Sequence, residues 1–285
     1  MTVFRFITIL LLIFSFENLK SQNCWIINDE LARYSHFGEI DTIIENRFVV
    51  KEENGLVEKS YEEYGKSRIV SIFDYLGNVQ ELIIYKNADV VNNRYTYQYD
   101  SLNRLVERKV FNSDKQLVHE IKIRYSSLGN IETSYYFDGK SEPTTKWIFE
   151  FQTDNKVTKK RTYPADNKVY MEYIVDCNKL KIKEKNDDYY WIYKYDPVGN
   201  KTFEEKNSVI QIENEDGIPA KPIYFIDYSY DQYSNMILKS YNSSRNKELL
   251  EFKYEYDNQN NWVKMIEYKD NIPKILSERK ITYKK

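Results

Sequence analysis

The sequence predicts an all-β chain: an antiparallel β-meander of hairpin repeats forming a strongly curved open-barrel or spiral sheet. Three observations carry this. Tyr, Phe and Trp number 27, 14 and 4 against only 8 Gly in 285 residues, and aromatic and β-branched side chains favour strands. A motif of the form aromatic-x-aromatic-Asp-x-x-Gly-Asn recurs along the chain. Around each copy apolar and polar residues alternate, the period of a strand with one buried face.

Eight copies are visible, running from Ile72-Phe-Asp-Tyr-Leu-Gly-Asn-Val79 to Tyr254-Glu-Tyr-Asp-Asn-Gln-Asn-Asn-Trp262. The residue before the Asp position serves as an anchor: Phe73, Tyr99, Tyr125, Phe151, Val175, Tyr195, Tyr230 and Tyr256, at intervals of 26, 26, 26, 24, 20, 35 and 26. Four equal spacings in seven define a repeat array. The position four before the anchor is apolar throughout, with Tyr95, Trp147, Trp191 and Phe252 among its members. The position directly before the anchor is mostly polar, as in Gln98, Arg124, Lys194 and Glu255. Each repeat therefore opens with a strand that has one aromatic face and one wet face.

The Asp-x-x-Gly-Asn segment is a turn with a mechanism. An Asp carboxylate accepts hydrogen bonds from amides just ahead of it, and Gly or Asn tolerates positive φ. A second strand follows, starting at Val79, Leu105, Ile131, Val157, Met236 or Trp262. Tyr85, Phe111, Phe137, Tyr163 and Tyr268 stand six residues further on, an even offset that predicts the same face. Two strands of about 8 residues and two turns of about 4 fill the period, giving about 16 strands in meander order. Strand twist makes so wide a sheet curl, and the aromatic face is expected to turn inward. Periodicity alone leaves open whether the sheet closes.

The flanks are read in order. Residues 1–21 carry Arg5, an apolar run from Phe6 to Phe16 and a small residue at Ser21, which predicts a secretory signal peptide cleaved after Ser21. That run is too short to span a bilayer, so the chain is expected not to be an integral membrane protein. Residues 22–68 form an N-terminal capping segment of the same domain as the array at 69–285. Within it, Asn28–Tyr34 suggests a short helix, and Asp41–Val50 and Leu56–Lys59 a hairpin about Asn54-Gly55. The long interval contains an inserted loop at about 207–221. Ile266–Tyr283 reads as a cap at the far end. Export permits a Cys24–Cys177 disulfide without requiring one. Ser21-Gln22-Asn23 does not suit lipidation, so a lipid anchor at Cys24 is not expected.

Removal of residues 1–21 leaves 40 basic and 43 acidic residues, with no basic run. A nucleic-acid partner is not expected. The sequence offers no nucleophile motif, metal-ligand spacing, P-loop or dinucleotide fingerprint. His36 and His119 are far apart in sequence, and His119 reads as a packed or solvent-facing strand residue. Asp74, Asp100, Asp196, Asp231 and Asp257 recur because the turn needs them, which removes the case for a metal ladder. No catalytic residue, cofactor or metal is therefore assigned. The remaining candidate is a stacking platform for sugar rings, built from Trp147, Trp191, Tyr95 and Phe252. The expected role is that of a non-enzymatic exported binding or scaffold module, with a glycan or an envelope or secreted protein as partner.

Tyr97-Gln-Tyr-Asp100, Tyr193-Lys-Tyr-Asp-Pro-Val-Gly-Asn200 and Tyr254-Glu-Tyr-Asp257 resemble the YD repeats of the Rhs family, across roughly residues 69–285. Asn260-Asn-Trp-Val263 and Glu278-Arg-Lys-Ile-Thr-Tyr283 resemble the closing repeat of its short exported bacterial, Bacteroidetes-like members without a toxin domain. The resemblance implies a β-sheet shell that wraps or binds something, carbohydrate being one proposed ligand. Large members enclose a toxin, and the segment that precedes that toxin has no counterpart in this sequence.

Overall fold

The computed structural model describes residues 39–60, 67–86, 89–125, 131–138, 141–151, 156–162, 169–176, 181–186, 188–208 and 222–284. The expected signal peptide, the helix at Asn28–Tyr34, His36 and both cysteines fall outside these residues. So does most of the expected inserted loop, because Asn207 and Ser208 still belong to a strand.

The described residues hold nineteen strands and no helix. The eight repeats are eight strand pairs: β3 (Ser67–Phe73) and β4 (Val79–Lys86), β5 (Val90–Tyr99) and β6 (Leu105–Asn112), β7 (Leu117–Tyr125) and β8 (Ile131–Phe137), β9 (Thr145–Phe151) and β10 (Lys156–Thr162). They continue with β11 (Val169–Asp176) and β12 (Lys181–Lys185), β13 (Tyr189–Tyr195) and β14 (Lys201–Ser208), β15 (Tyr224–Tyr230) and β16 (Met236–Ser243), β17 (Lys247–Tyr256) and β18 (Trp262–Lys269). Each pairs antiparallel with the next, so the expected all-β meander is present.

The turns show why the motif has its form. Asp74 Oδ1 accepts from the amides of Leu76 and Asn78, both at 2.9 Å, while the Gly77 amide donates to the Asp74 carbonyl at 3.1 Å. Gly77 sits at φ +87°. This is a type I turn followed by a left-handed residue, the three-residue hairpin loop. Asp100, Asp196, Asp231 and Asp257 repeat it, with Asn103, Gly199, Ser234 and Asn260 in the left-handed position.

Next to the turn the pairing slips by one residue at Ile72/Phe73, Gln98/Tyr99, Arg124/Tyr125, Lys194/Tyr195, Ser229/Tyr230 and Glu255/Tyr256. The slip corrects one expectation. Tyr85 pairs with Arg68, Phe111 with Arg94, Phe137 with Glu120 and Tyr268 with Glu251. Those partners all stand five before an anchor, so this aromatic column lies on the face opposite the anchors. The bulge adds the residue that turns an even offset into a change of face.

The flanking segments join the sheet by strand pairing. β1 (Ile40–Glu53) and β2 (Leu56–Lys59) form the expected hairpin, with Asn54 and Gly55 at φ +54° and +78°. Yet β1 also pairs with β3 over Thr42–Arg47, and with β19 (Ile272–Tyr283) over Ile40–Val49. β19 in turn pairs with β18. The sheet is strongly curved, as expected, and β1 lies between β3 and β19, paired with both. The circuit of pairings thus runs through β1 and β3 to β19. Pro273, which lacks an amide hydrogen, is accommodated in β19 beside a slip at Glu267/Tyr268.

A core cluster on the anchor face marks this join: Ile40, Ile43, Phe73, Val79 and Tyr97 are each at most 7 % exposed. Elsewhere most side chains are half-buried, because one sheet supplies no second layer.

Candidate functional site

The anchor face is the aromatic one, and several of its tyrosines tie a repeat to the one before it. Tyr99 donates to the carbonyl of Val79 at 2.9 Å, Tyr125 to that of Leu105 at 2.8 Å and Tyr230 to that of Lys201 at 2.8 Å. Tyr256 and Tyr283 instead donate to the carboxylates of Asp231 and Asp257. Turns also touch sideways: the Asn78 side chain donates to Asn103, and that of Asn200 to Ser234 at 3.2 Å. Among the described residues, neighbouring Asp turns are thus hydrogen-bonded to one another as a turn crown, in which Leu76, Leu102 and Val198 occupy equivalent turn positions at 55 %, 69 % and 76 % exposure.

Two carboxylates are built into the aromatic face. Glu204 on β14 accepts from Lys201 at 2.6 Å, Tyr224 at 3.0 Å and Tyr228 at 3.2 Å. Burial works against its ionisation, but Lys201 and the two hydroxyls hold its carboxyl below the usual range. In return, burial and the Glu204 charge push the Tyr224 phenol up to about 12 and raise Tyr228 further. Glu45 on β1 is 4 % exposed. It accepts from Arg279 at 2.9 Å and Arg47 at 2.7 Å, and the Arg279 guanidinium lies 3.4 Å from the Trp262 ring centroid. Both acids are committed to ion pairs within the sheet.

The four sequence-predicted stacking residues share a height but not a place. Tyr95, Trp147, Trp191 and Phe252 stand on β5, β9, β13 and β17, each half-buried. Successive members are four strands apart, about 19 Å along the sheet. They line the face at intervals and do not meet as one platform. Trp191 packs against Tyr189 at 6.0 Å between ring centroids, with Lys206 at 5.1 Å from its ring.

His119 packs on the Tyr136 ring at 5.4 Å, accompanied by a 2.7 Å hydrogen bond to its hydroxyl. The recurring Asp carboxylates are occupied by turn amides, as their sequence position implied.

A cavity that no repeated column announced opens at the end of β16 and β17 away from the Asp turns. Its volume is about 880 Å³, and its lining includes Lys239, Tyr241, Arg245, Asn246, Glu248 and Leu250. Lys239 pairs with Leu250 and Tyr241 with Glu248, which places these four on the aromatic face. Tyr241 packs on Tyr224 at 5.4 Å between ring centroids, and Glu248 is taken by Lys269 at 2.7 Å. The only prior sign of it was the long interval after Tyr195, since Pro222 and Ile223, at the end of that interval, complete one wall.

The fold and these features define a curved antiparallel repeat sheet whose anchor face is aromatic and carries buried ion pairs, with a second aromatic column on the opposite face. No protein-family model and no characterised protein sequence matches the chain. Among solved structures it is similar to a porin-like protein from Bacteroides uniformis, with a TM-score of 0.44 and 13 % identity over 87 % of this chain and 98 % of that one. It is similar to a TcdB2–TccC3 structure at TM-score 0.25 and 14 % identity, covering 76 % of this chain and 12 % of that one. The Photorhabdus luminescens Tc holotoxin pore gives 0.23 and 12 %, covering 83 % and 14 % respectively. No helix among the described residues is long and apolar enough to cross a membrane.

Proposed function

We propose that the chain is an exported, non-enzymatic binding module of the Rhs YD-repeat type, whose aromatic face turns inward and takes a carbohydrate. One observation carries the reading. That face holds Tyr, Trp and Phe side chains that stay half-buried, with no second layer of described residues to cover them. A curved sheet of so many strands is too wide for its own side chains to fill the space it encloses, and flat aromatic faces suit the apolar faces of pyranoses. Glu45 and Glu204 support a non-catalytic role, each being held by cations. Export rests on the N-terminal sequence.

The test is a polysaccharide and oligosaccharide array probed with the secreted chain, neutral and acidic sugars included. Saturable binding, weakened when Trp147 or Trp191 becomes Ala, is expected; no binding to any sugar would refute the reading.

A second reading, a shell that holds a protein partner, is favoured by the turn crown. Leu76, Leu102 and Val198 repeat an exposed apolar residue along one rim, and such patches mark association surfaces. Loss of a co-purifying envelope protein when all three become Ser would favour it.

A further inference from the structure

We infer that the cavity at the end of β16 and β17 is a subsite for a uronic-acid residue, an inference that rests on the carbohydrate reading and names the sugar class. Its volume, about 880 Å³, lies within the range of small-ligand pockets. Its chemistry falls into three parts. Tyr241, backed by Tyr224, is an aromatic wall on which a pyranose can stack. Ser244 and Asn246 supply short polar side chains suited to sugar hydroxyls, while the Ser243 hydroxyl is taken by the turn it belongs to. Lys239 and Arg245 bring two cations, neither within ion-pair distance of a carboxylate among the described residues.

The charge balance selects an anion. Glu248, the acid in the lining, is already paired with Lys269. Glu267, on the neighbouring strand and outside the lining, is pushed up by burial and drawn back down by Arg47 and Lys239. Two cations thus face the cavity with no unpaired acid in its lining. Arg presents a planar fork that matches a carboxylate bidentately, and a hexuronate carries that carboxylate beside the apolar ring face that Tyr241 would receive. A neutral sugar would leave Arg245 unanswered, while a lipid chain would waste the serine and asparagine groups.

The experiment is calorimetric titration of the secreted chain with trigalacturonate, and with galactotriose as the neutral match. Trigalacturonate is expected to bind saturably and to weaken with added salt. The Lys239→Gln/Arg245→Gln variant is expected to lose roughly tenfold or more in affinity, as the loss of charge-assisted contacts predicts. Lys194→Gln/Lys253→Gln removes the same charge from the opposite face and should bind as the parent does. Far-UV circular dichroism and melting confirm that both variants stay folded. Unchanged affinity in Lys239→Gln/Arg245→Gln, or equal loss in the control, would overturn the inference. Binding of neutral sugars on the array with none of trigalacturonate would overturn this subsite and leave the carbohydrate reading standing. Silence toward every sugar would overturn both.

Discussion

The hydroxyl of Tyr99 donates to the main-chain carbonyl of Val79 at 2.9 Å, across the boundary between two repeats. Tyr125 makes the same bond to Leu105, and Tyr230 to Lys201. Packing alone would accept Phe at the anchor, as Phe73 shows at the first repeat. Tyr adds a specific tie to a carbonyl beside the bulge, where the regular ladder is interrupted. Tyr99→Phe should therefore cost about 1 kcal/mol and lower the melting temperature by about 2–4 °C. Tyr85→Phe, on the opposite face, should leave it unchanged in the same melting experiment.

The turn carboxylates make stability depend on acid. Burial resists ionisation of Asp74, but the Asn78 side chain and the amides of Asn78 and Leu76 hold its carboxyl below the usual range. Asp100 is held down chiefly by the hydrogen bond from Arg104. A depressed folded pKa gives stability that is present above the unfolded value, about 4, and is lost as pH falls through the folded value. Asn112 shows that an amide keeps the turn, since its Oδ1 accepts from Asp114 and Gln116 at 3.0 and 2.9 Å. Asp74→Asn/Asp100→Asn should thus melt below the parent at neutral pH, and the gap should shrink as pH drops below about 4. A gap independent of pH would contradict this assignment.

Glu45 is the acid between β1 and β19. Its removal as Glu45→Ala leaves Arg279, whose side chain is 9 % exposed, without its carboxylate. Breaking one side of a buried pair costs about 3–5 kcal/mol. Chemical denaturation should show a loss of that size for Glu45→Ala, and a smaller one for Glu45→Ala/Arg279→Met, which removes both charges.

The left-handed turn position can be tested without steric interference. A Cβ at Gly77 would meet nothing within 4 Å, yet its φ is +87°. Gly77→Ala should cost about 1 kcal/mol through backbone conformation alone. Lys115 holds φ +60° at the equivalent place in the Asn112 turn, so Lys115→Gly should be neutral or stabilising by denaturant titration.

What was legible in the sequence was whatever repeats. The anchors, the Asp and the left-handed position recur at fixed spacing, so strands β3 to β18 and their turns follow from period and turn chemistry. The slip beside the turn was not legible, because a bulge leaves no residue type of its own at Ile72/Phe73 or Gln98/Tyr99. It moved Tyr85, Phe111 and Tyr268 to the other face. The place of β1 was hidden for a different reason. Asp41–Val50 reads as a strand, but nothing local says that Ile43 will meet both Ser71 and Ile281. Members of the stacking column share a height but not a place, since a shared column in a meander puts Trp147 and Trp191 on strands four apart. Lys239 and Tyr241 stand two apart on one face, but nothing in the sequence marks Arg245 and Pro222 as their neighbours, so only the folded chain brings them together.

The central structural claim is that β1 lies between β3 and β19. A strand paired on both sides engages consecutive amides, alternately to one neighbour and the other, whereas a strand in a terminal hairpin leaves every second amide to solvent. Residue-resolved hydrogen exchange over Thr42–Arg47 tests this most directly. The account predicts slow exchange at every amide of that run. Alternation, with every second amide exchanging as fast as a loop, would show β1 to be a hairpin on one edge and would contradict it.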